Sequence, residues 1–253
     1  PRHWPPGRIL RLGRAGELIE AQVAQLDLDQ GRPAGPGPTP LRLAPLPDHV
    51  ELAPLLPAAR RGIALIGVGG DEAQPEGLPS DDGPGALVCG PPGSGRSTAL
   101  LTLAASLSHD GRSVLLVAPG HVGQVPGPGV VLRTGWDGPL PLEHDAVLLL
   151  DTGWASVPGL QECAVRHLAA GGTALRVVAA ATAAEVAVAF RGLLADLRGL
   201  RTGLLLGSRS AADGDALGVR APPSAGLPPG RGLLVSRGRA RPVQVARDPR
   251  WSP

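Results

Sequence analysis

Residues 89–100 read CGPPGSGRSTAL, and this stretch decides the expected fold. Three of its glycines stand immediately before a run whose apolar residues have helical spacing. Residues 90–97 match the pattern G-x-x-x-x-G-K-[ST] at every fixed position but one, because Arg96 stands where lysine is expected. Glycines let successive backbone N–H groups point inward, and the start of a helix adds partial positive charge. The stretch therefore predicts a phosphate-binding loop.

Each residue type in this loop has an expected role. The predicted contacts to nucleotide phosphates are Gly90, Pro91, Pro92, Gly93, Ser94, Gly95, Arg96, Ser97 and Thr98. The Ser97 hydroxyl is expected on Mg²⁺, with Thr98 as a secondary contact. Arg96 keeps the positive charge of lysine, but its broad, rigid guanidinium predicts that binding survives while transition-state placement suffers. The alternative, a turn in a chain with 37 glycines and 29 prolines, does not predict the flanking strand and helix.

Strand and helix patterns alternate on both sides of the loop. Short Val- and Leu-rich runs without polar alternation are typical of parallel strands covered by helices on both faces. The sequence predicts strands at residues 86–89, 113–118, 130–133, 145–151, 175–180 and 202–206, and helices at residues 97–108, 160–170 and 183–197. The expected fold is an α/β domain with a mostly parallel sheet, which binds ligands at the carboxyl ends of its strands.

A second motif ends one of these strands. DAVLLLD, residues 145–151, places Asp151 where a carboxylate would help to hold Mg²⁺, although such an aspartate also serves as a turn or cap residue. Thr152 occupies the degenerate catalytic position at which many related ATPases carry a second acid, and a hydroxyl is a poor general base. Glu143 and Asp145 lie a strand length away from the site. Hydrolysis therefore lacks its best candidate residue.

Other polar residues have a structural explanation beside any role in the site. Thr182 follows the next core strand, where it is either a sensor of the γ-phosphate or a helix N-cap. His121 follows a strand end and is a weaker candidate for ligand contact. Residues 213–218, DGDALG, predict a turn, and the arginines within residues 231–241 predict a decorated hairpin.

Composition excludes some classes of protein. The net charge is only +2, so a pI near 9.1 with arginine as the basic residue apart from histidine is weak support for nucleic-acid binding. The 2 cysteines have no metal-ligand spacing and are expected to be core thiols in a reducing cytosol. No apolar run approaches the ~18 residues of a membrane span.

The chain also contains a short internal repeat. PPGR followed by two short strands, the second containing QVA, occurs within residues 5–27 and again within residues 228–248. We interpret residues 1–30 as the closing hairpin of an upstream module or an N-terminal extension, residues 31–47 as a Pro/Gly-rich linker, and residues 48–253 as the next module. Two similar hairpins arising from biased composition are the alternative.

The order of these pieces resembles the FtsK/SpoIIIE family of P-loop ATPases. It is most similar to the degenerate C-terminal modules of tandem members such as the EccC-type motor of type VII secretion. The stretches that carry the resemblance are IGVGGDEAQPEGL (66–78), VCGPPGSGRSTALLTLA (88–104), VVAAATAAE (177–185), RTGLLLGSRSAADGDALGVR (201–220), PPGRGLLV (228–235) and RPVQVA (241–246).

The resemblance implies a RecA-like core that binds ATP and Mg²⁺. Gly90, Gly93, Gly95, Arg96, Ser97 and Thr98 match the family's Walker A loop, and Asp151 matches its Walker B aspartate. Arg96 and Thr152 depart from active members. This implies a structural or regulatory ATP-binding module that hydrolyses weakly or not at all, and it leaves enzymatic activity open. The alternatives are an active motor that drives DNA translocation or protein secretion after oligomerisation, and an interaction module without nucleotide.

Partners and location follow from the resemblance alone. It implies adjacent ATPase modules of the same longer chain, a homo-oligomer of that parent, and a secreted protein or DNA as cargo. DNA binding is implied only at the level of the family, because neither the charge nor a DNA-reading segment supports it. The implied location is the bacterial cytoplasm, with membrane tethering through the parent protein and no membrane contact by this stretch.

Overall fold

The computed structural model describes residues 7–12, 18–22, 44–58, 62–119, 126–135, 146–224 and 226–251. The chain divides into two units, Pro1–Leu41 and Arg42–Pro253. In the first unit, strands β1 (Arg8–Leu12) and β2 (Leu18–Gln22) form an antiparallel hairpin, with an ion pair of 3.0 Å between Arg8 and Glu20. A hairpin was predicted here. Its origin in an upstream module stays a prediction, as do the domain boundaries.

The described residues of the second unit form ten further strands and four α-helices. The strands are β3 (Ile63–Gly69), β4 (Gln74–Pro79), β5 (Gly85–Cys89), β6 (Val114–Val117), β7 (Val130–Arg133), β8 (Val147–Leu150), β9 (Val177–Ala181), β10 (Gly203–Leu206), β11 (Arg231–Ser236) and β12 (Arg239–Val245). The helices are α1 (Arg96–His109), α2 (Leu160–Ala169), α3 (Ala183–Val188) and α4 (Leu193–Leu200). Short 3₁₀ helices span Leu56–Ala58, Trp154–Ser156, Ala211–Leu217 and Pro249–Trp251.

All ten strands join one mixed sheet in the order β4-β3-β12-β11-β10-β5-β9-β8-β6-β7. The part from β10 to β7 is parallel, and the part from β4 to β10 is antiparallel. The parallel strands other than the edge strand β7 are buried along their length, as their continuous Val and Leu runs predicted, whereas Val131 of β7 is 47% exposed. The predicted α/β class with a mostly parallel, RecA-like sheet and a C-terminal hairpin is confirmed.

The sheet begins earlier in the chain than predicted. β3 and β4 were not expected as strands, yet they form an antiparallel edge that β12 joins to the rest of the sheet. Residues 213–218 are a second difference, because residues 213–217 lie in a 3₁₀ helix rather than a turn and Gly218 is its C-cap. Asp213 accepts hydrogen bonds from the backbone N–H groups of Arg209 and Ser210, which stabilises the start of that helix.

Helix α1 lies in the core rather than on the surface. Every residue of α1 from Ala99 to Ser108 is buried. Ala99, Leu100 and Leu107 are among those that pack in one cluster with apolar residues of the sheet. Its buried polar residues are also bonded: Thr102 donates to the carbonyl of Ala246, and the Ser106 hydroxyl accepts from the N–H of Leu65 at 2.8 Å. Helix α1 is therefore held both by apolar burial and by hydrogen bonds to the surrounding chain.

The opposite face of the sheet packs against α2 and α4. Their buried leucines, among them Leu168 and Leu197, lie in one apolar cluster with Leu87 and Leu148. The sheet is thus covered on both faces, which is the arrangement that parallel strands require.

The predicted single helix at residues 183–197 is wrong in its middle. The structure ends α3 at Val188 and starts α4 at Leu193. Ala189 is extended, and Gly192 has a φ of +81°, a value that favours glycine. Phe190 lies in this break and is 89% exposed.

The packing of α1 gives a stability prediction. We expect Leu103→Ala to lower the free energy of unfolding by about 2–5 kcal/mol, because Leu103 is fully buried between α1 and the sheet. Val188→Ala is the control; Val188 is 70% exposed, and the change should stay within about 0.5 kcal/mol. Urea unfolding followed by circular dichroism measures both, and equal effects would contradict the core position of α1.

The two cysteines should differ in reactivity. Burial raises the pKa of the Cys89 thiol to about 12, so almost no thiolate is present at neutral pH, whereas Cys163 is half-buried on α2. We expect iodoacetamide to modify Cys163 in the native protein and both cysteines in urea, as read by peptide mass spectrometry. Rapid native labelling of Cys89 would show that the strand before the loop opens readily.

Candidate functional site

The candidate site lies where three neighbouring parallel strands end. The loop of residues 90–95 follows β5, Thr182 follows β9, and Asp151 follows β8. These strands are adjacent in the order β5-β9-β8, so their carboxyl ends meet at one edge of the sheet. This is the edge at which open α/β sheets bind ligands.

The loop keeps the shape that its glycines allow. Gly95 precedes α1 with a φ of +99°, which side chains other than glycine rarely tolerate. A Cβ on Gly90 would lie 2.4 Å from the Ser94 hydroxyl and 2.7 Å from the carbonyl of Leu206. Both glycines are therefore required by the local geometry.

Several N–H groups of the loop and of the first helical turn remain available. Within the described part of the chain, no acceptor is bonded to the backbone amides of Gly93 or of residues 95–98. The buried Ser94 hydroxyl also has no partner there. Free amides at a helix N-terminus form a concave, partly positive surface that suits an anion.

Arg96 is the residue that departs from the motif, and it is buried. It is only 7% exposed, and in the described chain it forms no ion pair and no hydrogen bond. The pKa of Cys89, raised mainly by burial of the thiol, is lowered in part by the charge of Arg96. The charge of Arg96 therefore adds to the partial positive charge of the free amides at the start of α1. This arrangement favours an anionic ligand beside the loop.

Ser97 and Asp151 lie together, as the motifs predicted. The Ser97 hydroxyl donates to Asp151 Oδ1 at 3.0 Å, and the N–H of Thr152 donates to the same oxygen at 2.7 Å. Asp151 is 9% exposed, and its Oδ2 accepts no hydrogen bond from any described residue. One oxygen is therefore fixed while the other stays available.

This pair fits a magnesium ion bound together with a nucleotide. Mg²⁺ is usually held by one or two carboxylates, substrate phosphates and several waters rather than by an all-protein cage. The described residues contain no group of three or more His, Cys, Asp or Glu that would form such a cage. Ser97 and Asp151 would hold the ion, which would neutralise charge on the phosphate oxygens.

The site offers fewer residues for activating a water molecule than for binding phosphate and Mg²⁺. Thr152 is exposed, and its hydroxyl lies 3.4 Å from Asp151 Oδ1. Sequence reasoning missed Glu185, whose charge contributes to raising the pKa of Cys89 after the larger effect of burial. Glu185 Oε2 accepts from the Thr182 N–H at 2.6 Å and from the Thr182 hydroxyl at 2.9 Å, so this acid is occupied as a helix cap.

Thr182 is the N-cap of α3. Its hydroxyl accepts from the N–H of Glu185 at 3.1 Å and completes a capping box with that residue. Of the two expectations for Thr182, the cap is what the structure contains, and the sensor role stays a prediction. His121, Glu143, Asp145 and most of the predicted linker lie outside the described residues.

A cavity next to the loop was not predicted from the sequence. It has a volume of about 120 Å³ and is lined by Gly95 and Thr98 from the loop side. Asp48 and His49 line another side, and Gln244 of β12 lines a third. These residues come together from distant parts of the chain, so no local motif could have revealed the cavity.

Comparison with solved structures identifies the architecture. The cytoplasmic domain of EssC matches with a TM-score of 0.61 at 14% identity, covering 81% of this chain and 48% of that one. EssC (ATPases 2 and 3) from Geobacillus thermodenitrificans matches with a TM-score of 0.60 at 15% identity, covering 80% and 45%. The cytoplasmic domain of the Thermomonospora curvata type VII secretion ATPase EccC matches with a TM-score of 0.61 at 19% identity, covering 96% and 34%.

The chain spans less than half of the length of each of these structures. No protein-family model matches the sequence, and no curated protein sequence does. Among the described helices, none has the length and hydropathy to cross a membrane. The predicted resemblance to EccC-type ATPase modules is confirmed at the level of the fold: this chain has the fold of EssC and EccC ATPase domains.

Proposed function

We propose that this chain is an ATP-binding module of a larger, FtsK/SpoIIIE-like tandem ATPase, in which the nucleotide acts mainly as a structural or regulatory ligand. The observation that carries the proposal is Arg96, a residue that is only 7% exposed and has no partner among the described residues, beside a loop of free amides. A triphosphate would supply the missing negative charge. Similarity of fold to ATPase domains supports ATP with Mg²⁺ as the ligand.

The same geometry supports weak hydrolysis. Thr152 offers a hydroxyl where a carboxylate would orient the attacking water, and a hydroxyl is a poor base. Oε2 of Glu185 is bonded to Thr182 in a capping box, which holds this carboxylate at the start of α3. Arg96 places a broad cation where phosphoryl transfer depends on exact positioning. Binding is thus better supported than turnover.

The second candidate is an active motor that becomes complete in an assembly. Thr152 is exposed, so the missing acid or an arginine finger could be supplied by a neighbouring subunit. The similar solved structures include a type VII secretion ATPase and a fragment with two ATPase domains, which supports this candidate. Adjacent modules, a homo-oligomer, and a secreted protein or DNA as cargo belong to this proposal through the parent protein.

Arg96→Met tests the binding role of the buried charge. We expect the free energy of unfolding without ligand to change by less than about 1 kcal/mol, because Arg96 has no hydrogen bond or ion pair to lose among the described residues. The same variant should bind Mg-ATP at least about tenfold more weakly. Mg-ATP at a concentration of 100 times its Kd should raise the free energy of unfolding of the wild-type protein by about 2.7 kcal/mol.

Isothermal titration and thermal unfolding measure these two effects. Arg166→Ala, which removes an exposed arginine of α2, is the control and should change neither. Wild-type protein that shows no stabilisation by Mg-ATP would support the module without nucleotide. Phosphate release near the ~10 s⁻¹ of an ordinary enzyme would contradict the regulatory proposal.

A double-mutant cycle tests the division between binding and hydrolysis. We expect Arg96→Lys and Thr152→Glu each to raise phosphate release only a few-fold over wild type. In the double variant, the rate of phosphate release should rise by more than the product of the two single increases. The reason is that the lysine would position the γ-phosphate while the introduced glutamate would orient the water that attacks it. Thr152→Ala is the matched control and should leave the rate unchanged. Independent, multiplicative effects would contradict the assigned roles.

A further inference from the structure

Arg231 fastens the segment that leads into the module. We call residues 44–50 the leading segment. The Nη2 of Arg231 donates to the carbonyls of Leu46 and Pro47, at 2.9 Å each, and lies 3.3 Å from Asp48 Oδ1. Its Nε donates to Gln244 Oε1 at 2.8 Å. The side chain is only 15% exposed, so one guanidinium ties the leading segment to the hairpin β11–β12.

The residues just before Arg231 are bonded to the phosphate loop. The N–H of Gly230 donates to the carbonyl of Ser94 at 2.9 Å. A Cβ on Gly95 would lie only 3.1 Å from the nitrogen of Gly230, so the two backbones are in close approach. The carbonyl of Pro229 accepts from Gln244 Nε2 at 3.0 Å. The turn of residues 228–230 thus connects the loop on one side with Arg231 and the leading segment on the other.

The cavity of about 120 Å³ lies where these three parts meet. Thr98 and Gly95 contribute one wall, Gly230 and Val245 another, and His49 lies in the third with its neighbours Asp48 and Val50. Its volume is close to the roughly 150 Å³ that holds a benzene ring in another protein. The cavity therefore has the scale of a small flat ring.

The cavity also lies on the correct side of α1. Ser97 bonds to Asp151, and Thr98, the next residue, is turned by about 100° around the helix axis. Phosphates on the loop amides and the Ser97–Asp151 pair therefore occupy one side of the first turn. The side that Thr98 lines is left for the rest of a nucleotide.

We propose that Arg231 is a positioning residue for the nucleoside end of the bound nucleotide, because it holds the leading segment in place as one wall of this cavity. The inference rests on the proposed nucleotide binding and adds a form of regulation to it. Docking of the leading segment and binding of the base then strengthen each other reciprocally. Whatever displaces residues 44–50 lowers the affinity for ATP, while the grip on the phosphates is unchanged.

The test compares Mg-ATP with magnesium tripolyphosphate, which has the phosphates but no nucleoside. In the full 253-residue chain, we expect Arg231→Ala to raise the Kd for Mg-ATP about tenfold and the Kd for tripolyphosphate less than about twofold. Arg241→Ala is the control, because Arg241 lies on the same hairpin but pairs with Glu76 and is 64% exposed. It should change neither Kd.

Hydrogen exchange gives a second readout. The N–H of Leu52 donates to the carbonyl of Arg247 just after the leading segment. ATP should slow exchange in this region of the wild-type chain more than tripolyphosphate does, since only ATP reaches the wall that the leading segment forms. A merely structural role of Arg231 predicts the same protection with both ligands.

Each outcome separates the two proposals. Wild-type protein that binds neither ligand overturns the proposed function. Equal affinity for both ligands, or equal weakening of both by Arg231→Ala, overturns only the role of Arg231. If Arg231→Ala loses its cooperative thermal transition, a double variant of the exposed wall residues, Asp48→Ala with His49→Ala, replaces it in the test. This double variant must weaken the binding of Mg-ATP and leave the binding of tripolyphosphate unchanged. An unchanged ratio of the two Kd values refutes the inference.

Discussion

Burial of α1 on all sides is the constraint on which the rest of the structure depends. A helix that packs on one face can tilt or slide, whereas α1 meets the sheet through residues such as Leu100 and Leu103 and the surrounding chain through Thr102 and Ser106. Its first turn is therefore fixed relative to the ends of β5 and β8. The loop amides, Ser97 and Asp151 form one site because they are attached to this fixed helix and to the sheet beneath it.

In the proposed function, binding and catalysis depend on different parts of the site. Anion binding uses backbone amides that belong to the loop and the helix, and these need only glycine and a rigid α1. Water activation needs a specific acid at one position, and that position carries Thr152. The backbone part of the site can persist without the side-chain part. In this proposal Arg96 concerns both parts, because its charge would serve binding while its shape would affect placement of the phosphate.

Local patterns predicted the parallel half of the fold and the core of the site. Strands β5, β6, β8, β9 and β10 are short, continuous apolar runs, and the loop and Asp151 belong to compact motifs. The antiparallel edge was not predictable in the same way. β4 contains Pro75 and Pro79, which are tolerated because this strand lies at the sheet edge. Gly67 in β3 resembles a strand breaker, but a Cβ there would lie 2.0 Å from the carbonyl of Gln244.

Contacts between distant residues account for what the sequence could not reveal. Arg231 bonds to residues more than 180 positions earlier in the chain, and nothing near it distinguishes it from the exposed arginines of the same hairpin. Glu185 is a helix cap whose position near Cys89 follows only from the pairing of β5 with β9. Periodicity and motifs describe neighbours along the chain, so such residues become visible only in three dimensions.

The backbone pairing near Arg247 has a topological consequence. The N–H of Arg247 bonds to the carbonyl of Val50, and its carbonyl accepts from Leu52, so the polypeptide arrives at the sheet and departs from it at adjoining points. A domain with adjoining termini tolerates circular permutation and insertion into a host loop. A circular permutant can be made by joining these two points with a short peptide and placing the new termini at Gly238 in the β11–β12 turn. The order of the strands along the chain would change, while each strand would keep its neighbours in the sheet.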